Sequence, residues 1–133
     1  MLAVIDTDVV SFIFKGDTRA ALYQPHLTGQ VLVISPMTCA ELEQWALERN
    51  WGARRRESMR AYLRQYILAP FDEVICLRWA EARYSARRNG RPIGTADAWV
   101  AAAALLYAAP LVTHNRAHYA GIDGLTIISE SLP

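Results

Sequence analysis

The sequence predicts an α/β fold whose mainly parallel central sheet is covered by helices on both faces. Three observations carry that expectation. Leu2–Ile5 is a continuous apolar run, the pattern of a strand buried on both sides in a parallel sheet. Short β-rich runs then alternate with longer helical segments along the chain. Finally, the segment from Ala98 to Leu106 is apolar all round, as a helix covered on every side would be.

The elements follow in order. Asp6 ends the first strand, and Val9–Phe14 reads as a short helix stopped by Gly16. A second helix is expected from Thr18 to about Leu27, capped by Asp17. Val31–Ile34 is the next strand. Ser35-Pro36 then supplies a cap hydroxyl and a proline at the first helical position, opening a helix to about Asn50. Ala53–Gln65 is a basic helix, Ile67–Ala69 a short strand, and Asp72 caps a long helix over Glu73–Arg88. After Asn89-Gly90 and the loop Arg91–Gly94, Thr95 caps the Ala-rich helix Ala96–Ala108, which Pro110 stops. Leu111–Thr113 is a strand, Asn115–Tyr119 a turn or short helix, and Leu125–Ile128 a last strand.

With 133 residues and no linker or repeat, the chain is expected to form one domain spanning 1–133. A hydrophobic share of 53% is high enough to suggest apolar surface buried against another subunit. The net charge of +1 does not itself announce nucleic-acid binding. Every basic residue except Lys15 is Arg, however, and its forked guanidinium suits phosphates or carboxylates. Cys39 and Cys76 lack CxxC spacing and read as buried free thiols in a reducing compartment. The apolar N-terminal run meets Asp6 too early for a signal peptide, and Ala98–Pro110 falls short of the ~20 residues of a membrane span. A soluble, cytoplasmic protein with no membrane contact is expected.

In such sheets ligands collect beyond the carboxyl ends of the strands. Asp6 and Thr113–Asn115 each follow or end a strand, Glu41 lies early in the helix after the second strand, and Asp97 is in the first turn of the apolar helix. A carboxylate on an apolar helix is costly unless paired, hydrogen-bonded or bound to a metal. An acid in a first turn also interacts well with the helix dipole, but with Thr95 able to cap, Asp97 is left for another use. Glu41 has two readings. Thr38-x-x-Glu41 matches a capping box, whereas a start at Ser35-Pro36 places it inside the helix with Met37 and Trp45 on its face. Asp6 and Asp8 could each cap the helix that follows, which leaves one of them over. Clustered carboxylates suit Mg²⁺ or Mn²⁺, hard ions that can activate water and neutralise a scissile phosphate. His26, His114 and His118 have no metal-ligand spacing, and neither a nucleophile elbow nor a Gly-rich phosphate loop occurs.

Four segments, in order, resemble the PIN-domain family and especially its VapC-type toxin ribonucleases. They are Val4-Ile5-Asp6-Thr7-Asp8-Val9-Val10, Thr38-Cys39-Ala40-Glu41-Leu42, Gly90–Asp97 ahead of the Ala-rich helix, and Leu111-Val112-Thr113-His114-Asn115. The resemblance implies a PIN-like three-layer α/β/α fold and Mg²⁺- or Mn²⁺-dependent endoribonuclease activity. It also implies metal-site acids at Asp6, Glu41 and Asp97, with Asn115 as a fourth catalytic corner and Asp8 and Thr113 as auxiliaries. Many relatives carry acids where this chain has Asn115 and His118, so one tightly held metal is expected rather than two. Asp123 reads as a loop residue. The implied partners are RNA substrate, a VapB-like antitoxin, and a second copy in a homodimer or higher even oligomer.

Arg87, Arg88 and Arg91 precede the Asp97 segment and are placed to contact RNA or antitoxin. Arg56, Arg60 and Arg64, with Arg54 and Arg55 beside them, form a stripe that is either a solvated helix face or a phosphate patch. A phosphoacceptor receiver domain would need a lysine at a late strand edge, and Lys15 is elsewhere. A catalytically weak or inactive PIN-like binding module is the alternative left open by Asn115 and His118.

Overall fold

Alternation along the first strand sets the layers. In β1 (Leu2–Ile5) Val4 faces one apolar cluster while Ala3 and Ile5 face another, so each side of the sheet has its own core. The computed structural model describes residues 1–131. Among these, β2 (Val31–Ile34), β3 (Ile67–Leu68), β4 (Leu111–Val112) and β5 (Ile127–Ile128) complete a five-stranded sheet of order β3-β2-β1-β4-β5, every pair parallel. The strand order reverses between β1 and β4, and open α/β sheets bind their ligands at such a point.

Seven helices cover the sheet among the described residues: α1 (Thr7–Lys15), α2 (Ala20–Leu27), α3 (Pro36–Glu48), α4 (Ala53–Leu63), α5 (Glu73–Arg88), α6 (Thr95–Tyr107) and α7 (Arg116–Tyr119). Residues of α5 and α6 join Val4, Val33 and Leu111 in one core; those of α1–α4 join Ile5, Ile34 and Val112 in the other. Small side chains let α6 lie close to the sheet, with Ala101, Ala102, Ala103 and Ala104 all buried. This is the three-layer α/β/α arrangement expected. No helix is long and apolar enough to cross a membrane among the described residues.

Several boundaries differ from expectation, each for a local reason. Helix α1 starts at Thr7 rather than Val9, because Asp6 itself takes the cap position. Helix α2 starts at Ala20, since the Asp17 carboxylate accepts from the Arg19 amide and guanidinium instead of capping a helix from Thr18. Helix α6 begins with Thr95 inside it: Gly94, extended at φ −68° and ψ 161°, is the cap residue and offers no side chain. β4 and β5 are two-residue strands, shorter than expected, where the adjoining chain leaves the sheet. The thiols are free, but Cys76 is exposed, because α5 turns Ile75, Ala82, Ser85 and Ala86 to the core.

Backbone proximity fixes the loop that leads to Asp97. A Cβ on Gly121 would stand 2.7 Å from Arg91 Cβ and 3.0 Å from its carbonyl oxygen, so only glycine lets these segments meet. Asn89 Nδ2 reinforces the contact by donating to the Gly121 carbonyl at 2.8 Å. Gly121→Ala is therefore expected to cost about 1–3 kcal/mol, read as a lower denaturation midpoint in urea. An unchanged midpoint would show that the contact yields freely.

Candidate active site at the β1–β4 switch

Asp6 leaves the carboxyl end of β1 and is 7% exposed. Three donors hold its carboxylate. The Thr7 amide reaches Oδ1 at 2.7 Å, while the hydroxyls of Thr113 and Tyr119 reach Oδ2 at 2.8 and 3.0 Å. Oδ2 thus spends both lone pairs inside the protein, and Oδ1 keeps one. Burial, and then the charge of Asp8, push the Asp6 carboxyl up to about 7 despite those bonds. The same burial, with the nearby acids, pushes the Tyr119 hydroxyl far above its ordinary value, so it stays a donor.

Asp8 points to the same side. Its oxygens accept from the amides of Val9 at 2.7 Å and His114 at 3.1 Å, leaving one lone pair on each. Desolvation raises its carboxyl, with a further upward push from Asp97. The cap position that either Asp6 or Asp8 could have filled belongs to Asp6, and Asp8 instead bridges α1 to the loop after β4.

Glu41 is not consumed by a capping box. Ser35 caps α3 by accepting from the Met37 amide at 3.1 Å, which places Glu41 inside the helix. Its Oε1 accepts the Thr7 hydroxyl at 2.8 Å. Thr38, fully buried 2.9 Å away, then donates to Thr7, because Thr7 has a single proton to give. Burial raises the Glu41 carboxyl, and Asp97 and Asp8 add to the effect.

Asp97 faces His118 across 3.0 Å, Oδ2 to Nδ1. A carboxylate only accepts, so Nδ1 carries the proton in that contact, and Asn115 Nδ2 lies 3.0 Å from the same Nδ1. Asn115 also donates its backbone amide to Thr113 Oγ1 at 3.0 Å, which aims the Thr113 hydroxyl at Asp6.

Asp6, Thr7, Asp8, Glu41, Trp45, Asp97, Asn115 and His118 together line one depression of about 170 Å³. All four predicted catalytic residues and Asp8 are therefore at one place, with Thr113 just behind Asp6. Among the described residues, no three His, Cys, Asp or Glu side chains are grouped so as to hold an ion. No Lys or Arg pairs with these acids among the described residues either. Four carboxylates in one depression, three of them raised by burial and then by neighbouring acids, and lone pairs left open on Asp6 and Asp8 fit a hard divalent cation.

Of the basic residues singled out by sequence, Arg91 lines the neighbouring cleft with Asp97 and His118, whereas Arg87 and Arg88 are exposed in the last turn of α5 and line no part of it. In the α4 stripe Arg60 is bound by Glu43 at 2.8 Å and Arg64 faces Glu57 at 3.3 Å. Asp123 accepts from Asn89 in a surface loop. The sequence placed His118 at the fourth corner and Trp45 on the face of Glu41 without giving either a role, and it passed over Thr7 and Tyr119 as parts of the site; nothing local marks Tyr119.

The PIN domain family profile matches residues 3–123, so the chain belongs to that family. It is similar to ribonuclease VapC1 of Haemophilus influenzae, strain R2866, with 31% identity over 94% of this chain and 95% of that one. Among solved structures, VapBC-1 from nontypeable Haemophilus influenzae superposes with a TM-score of 0.81 at 26% identity, covering 97% of this chain and 98% of that one. VapBC2 from Rickettsia felis, bound to a DNA fragment from its promoter, reaches 0.83 at 19% identity with the same coverage, and speaks to the fold.

The raised Asp6 carboxyl has a sign. Folding favours its protonated form, so its contribution to stability is full below about 4 and lost as pH rises towards about 7. Asp6→Asn removes the charge and keeps the oxygen that accepts from Thr7. In metal-free buffer at pH 8 it is expected to raise Tm by about 4 °C or more, with little difference from wild type at pH 5. A lower Tm for Asp6→Asn at pH 8 would contradict the assignment.

Proposed function

We propose that the chain is a Mg²⁺- or Mn²⁺-dependent endoribonuclease, the toxin half of a VapBC-type toxin–antitoxin pair acting in the cytoplasm. The observation that supports this best is the depression at the β1–β4 switch, where Asp6, Asp8, Glu41 and Asp97 gather negative charge with no Lys or Arg paired to them among the described residues. The names of the relatives support ribonuclease activity and pairing with a VapB-like antitoxin.

Asp6, Glu41 and Asp97 would hold the ion, with Asp8 as a further acid. Bound there, a divalent cation supplies charge neutralisation at the scissile phosphate and an acidified water. The rest falls to this chain's own groups. Thr7 orients Glu41, Thr113 and Tyr119 orient Asp6, and His118 Nδ1, which Asn115 contacts, orients Asp97. Arg91 beside Asp97 is suited to steer a phosphate towards the acids.

A homodimer fits a separate feature. Phe71, Val74 and Leu77 are 68%, 50% and 55% exposed, and Phe71 packs on Trp99 with centroids 4.9 Å apart. An apolar face of this kind suits a second copy.

A second reading, a PIN-like binding module with little or no nuclease activity, draws on the neutral Asn115 and on His118 beside it. RNA cleavage separates the two. Wild type is expected to cut single-stranded RNA when Mg²⁺ or Mn²⁺ is supplied and to stop on addition of EDTA. Asp97→Asn and Glu41→Gln should each lower the rate by roughly 100-fold or more. Equal, trace-level degradation by wild type and both variants would favour the binding module.

A further inference from the structure

We propose that Lys15, Trp45 and Arg49 form a ledge that binds one unpaired nucleotide of single-stranded RNA beside the acidic depression, its phosphate on the two cations and its base on the indole. This rests on the ribonuclease reading and names how its substrate is held.

Trp45 lies one turn beyond Glu41 on α3, is half-buried, and lines the depression. Two exposed cations gather on its ring, Lys15 Nζ 4.9 Å and Arg49 Cζ 5.2 Å from the centroid. Arg55 lies nearby, stacked on Trp51 at 4.0 Å. None of the three is in an ion pair among the described residues, in contrast to Arg60 and Arg64. Their mutual proximity is felt: partial burial, and then Arg49 and Arg55, hold the Lys15 ammonium below its ordinary range.

Positive charge is thus collected at the Glu41 end of the depression without an ion pair to Lys15 or Arg49 among the described residues, and Arg91 adjoins the other end through Asp97 and His118. A polyanion crossing the acids would meet a cation on each flank. Exposed cation–π contacts are weak, so an arriving phosphate draws Lys15 and Arg49 off the ring and frees it for a base. Only an unstacked base can reach an indole set in the protein surface, which selects single strands over duplex.

The test is the affinity of a dye-labelled single-stranded RNA, measured by anisotropy in EDTA so that no cleavage intervenes. Trp45→Leu is expected to weaken binding roughly 5- to 150-fold, with Trp45→Phe retaining most of it and duplex affinity unchanged. Lys15→Ala with Arg49→Ala should reduce the slope of log affinity against log salt by about 1.4. Both of those residues are exposed, so this double variant decides the matter if Trp45→Leu does not fold. Wild-type affinity and slope in the variants would overturn the ledge. So would unchanged RNA binding accompanied by lost binding of a polyglutamate peptide, which would assign the surface to an acidic protein partner. If the variants lose RNA affinity while wild type cuts no RNA with Mg²⁺ or Mn²⁺, the ledge stands and the ribonuclease reading falls.

Discussion

The carboxylate of Asp6, buried at the end of the central strand and held by the Thr7 amide, the Thr113 hydroxyl and the Tyr119 hydroxyl, ties the site to the fold. Those donors come from α1, from the loop after β4 and from α7, so one side chain fastens three elements at the strand-order reversal. Its hydrogen bonds favour the charged form, yet burial and Asp8 outweigh them, and the group stays close to neutrality in its proton affinity. A buried acid at that balance is a group able to exchange its proton for a cation.

The surroundings extend the same logic outward. Thr7 links Asp6 to Glu41 through its amide and hydroxyl, and Asp8 reaches the His114 amide. Orienting these acids with neutral donors leaves their charge uncompensated, which is stabilising only once a cation or a proton arrives. Lys15, Arg49 and Arg91 sit outside that ring rather than in it. Acids at the centre and cations at the rim suit an ion in the middle and a polyanion across the top.

Much of this was legible in the sequence, for reasons specific to each residue. The apolar run before Asp6 and the apolar sides of the Asp97 helix could each be read because burial leaves a pattern in neighbouring residue types. Glu41 was ambiguous, since a capping box and a helix-interior acid share a spacing; the Ser35 cap decided it. Cap residues were harder. Asp6 took the cap that it and Asp8 could each have filled, and Gly94 displaced Thr95, because caps depend on where the loop turns, not on side-chain preference alone. Tyr119 could not be found at all: its bond to Asp6 spans 113 residues and has no local signature.

Carboxyl-carbon NMR titration of Asp6 addresses this account most directly. In metal-free protein the buried Asp6 is expected to titrate near pH 7, well above the exposed acids, and saturating Mg²⁺ should hold it fully ionised at pH 6. Titration near pH 4, or a midpoint that Mg²⁺ does not move, would contradict the claim that Asp6 trades a proton for a cation.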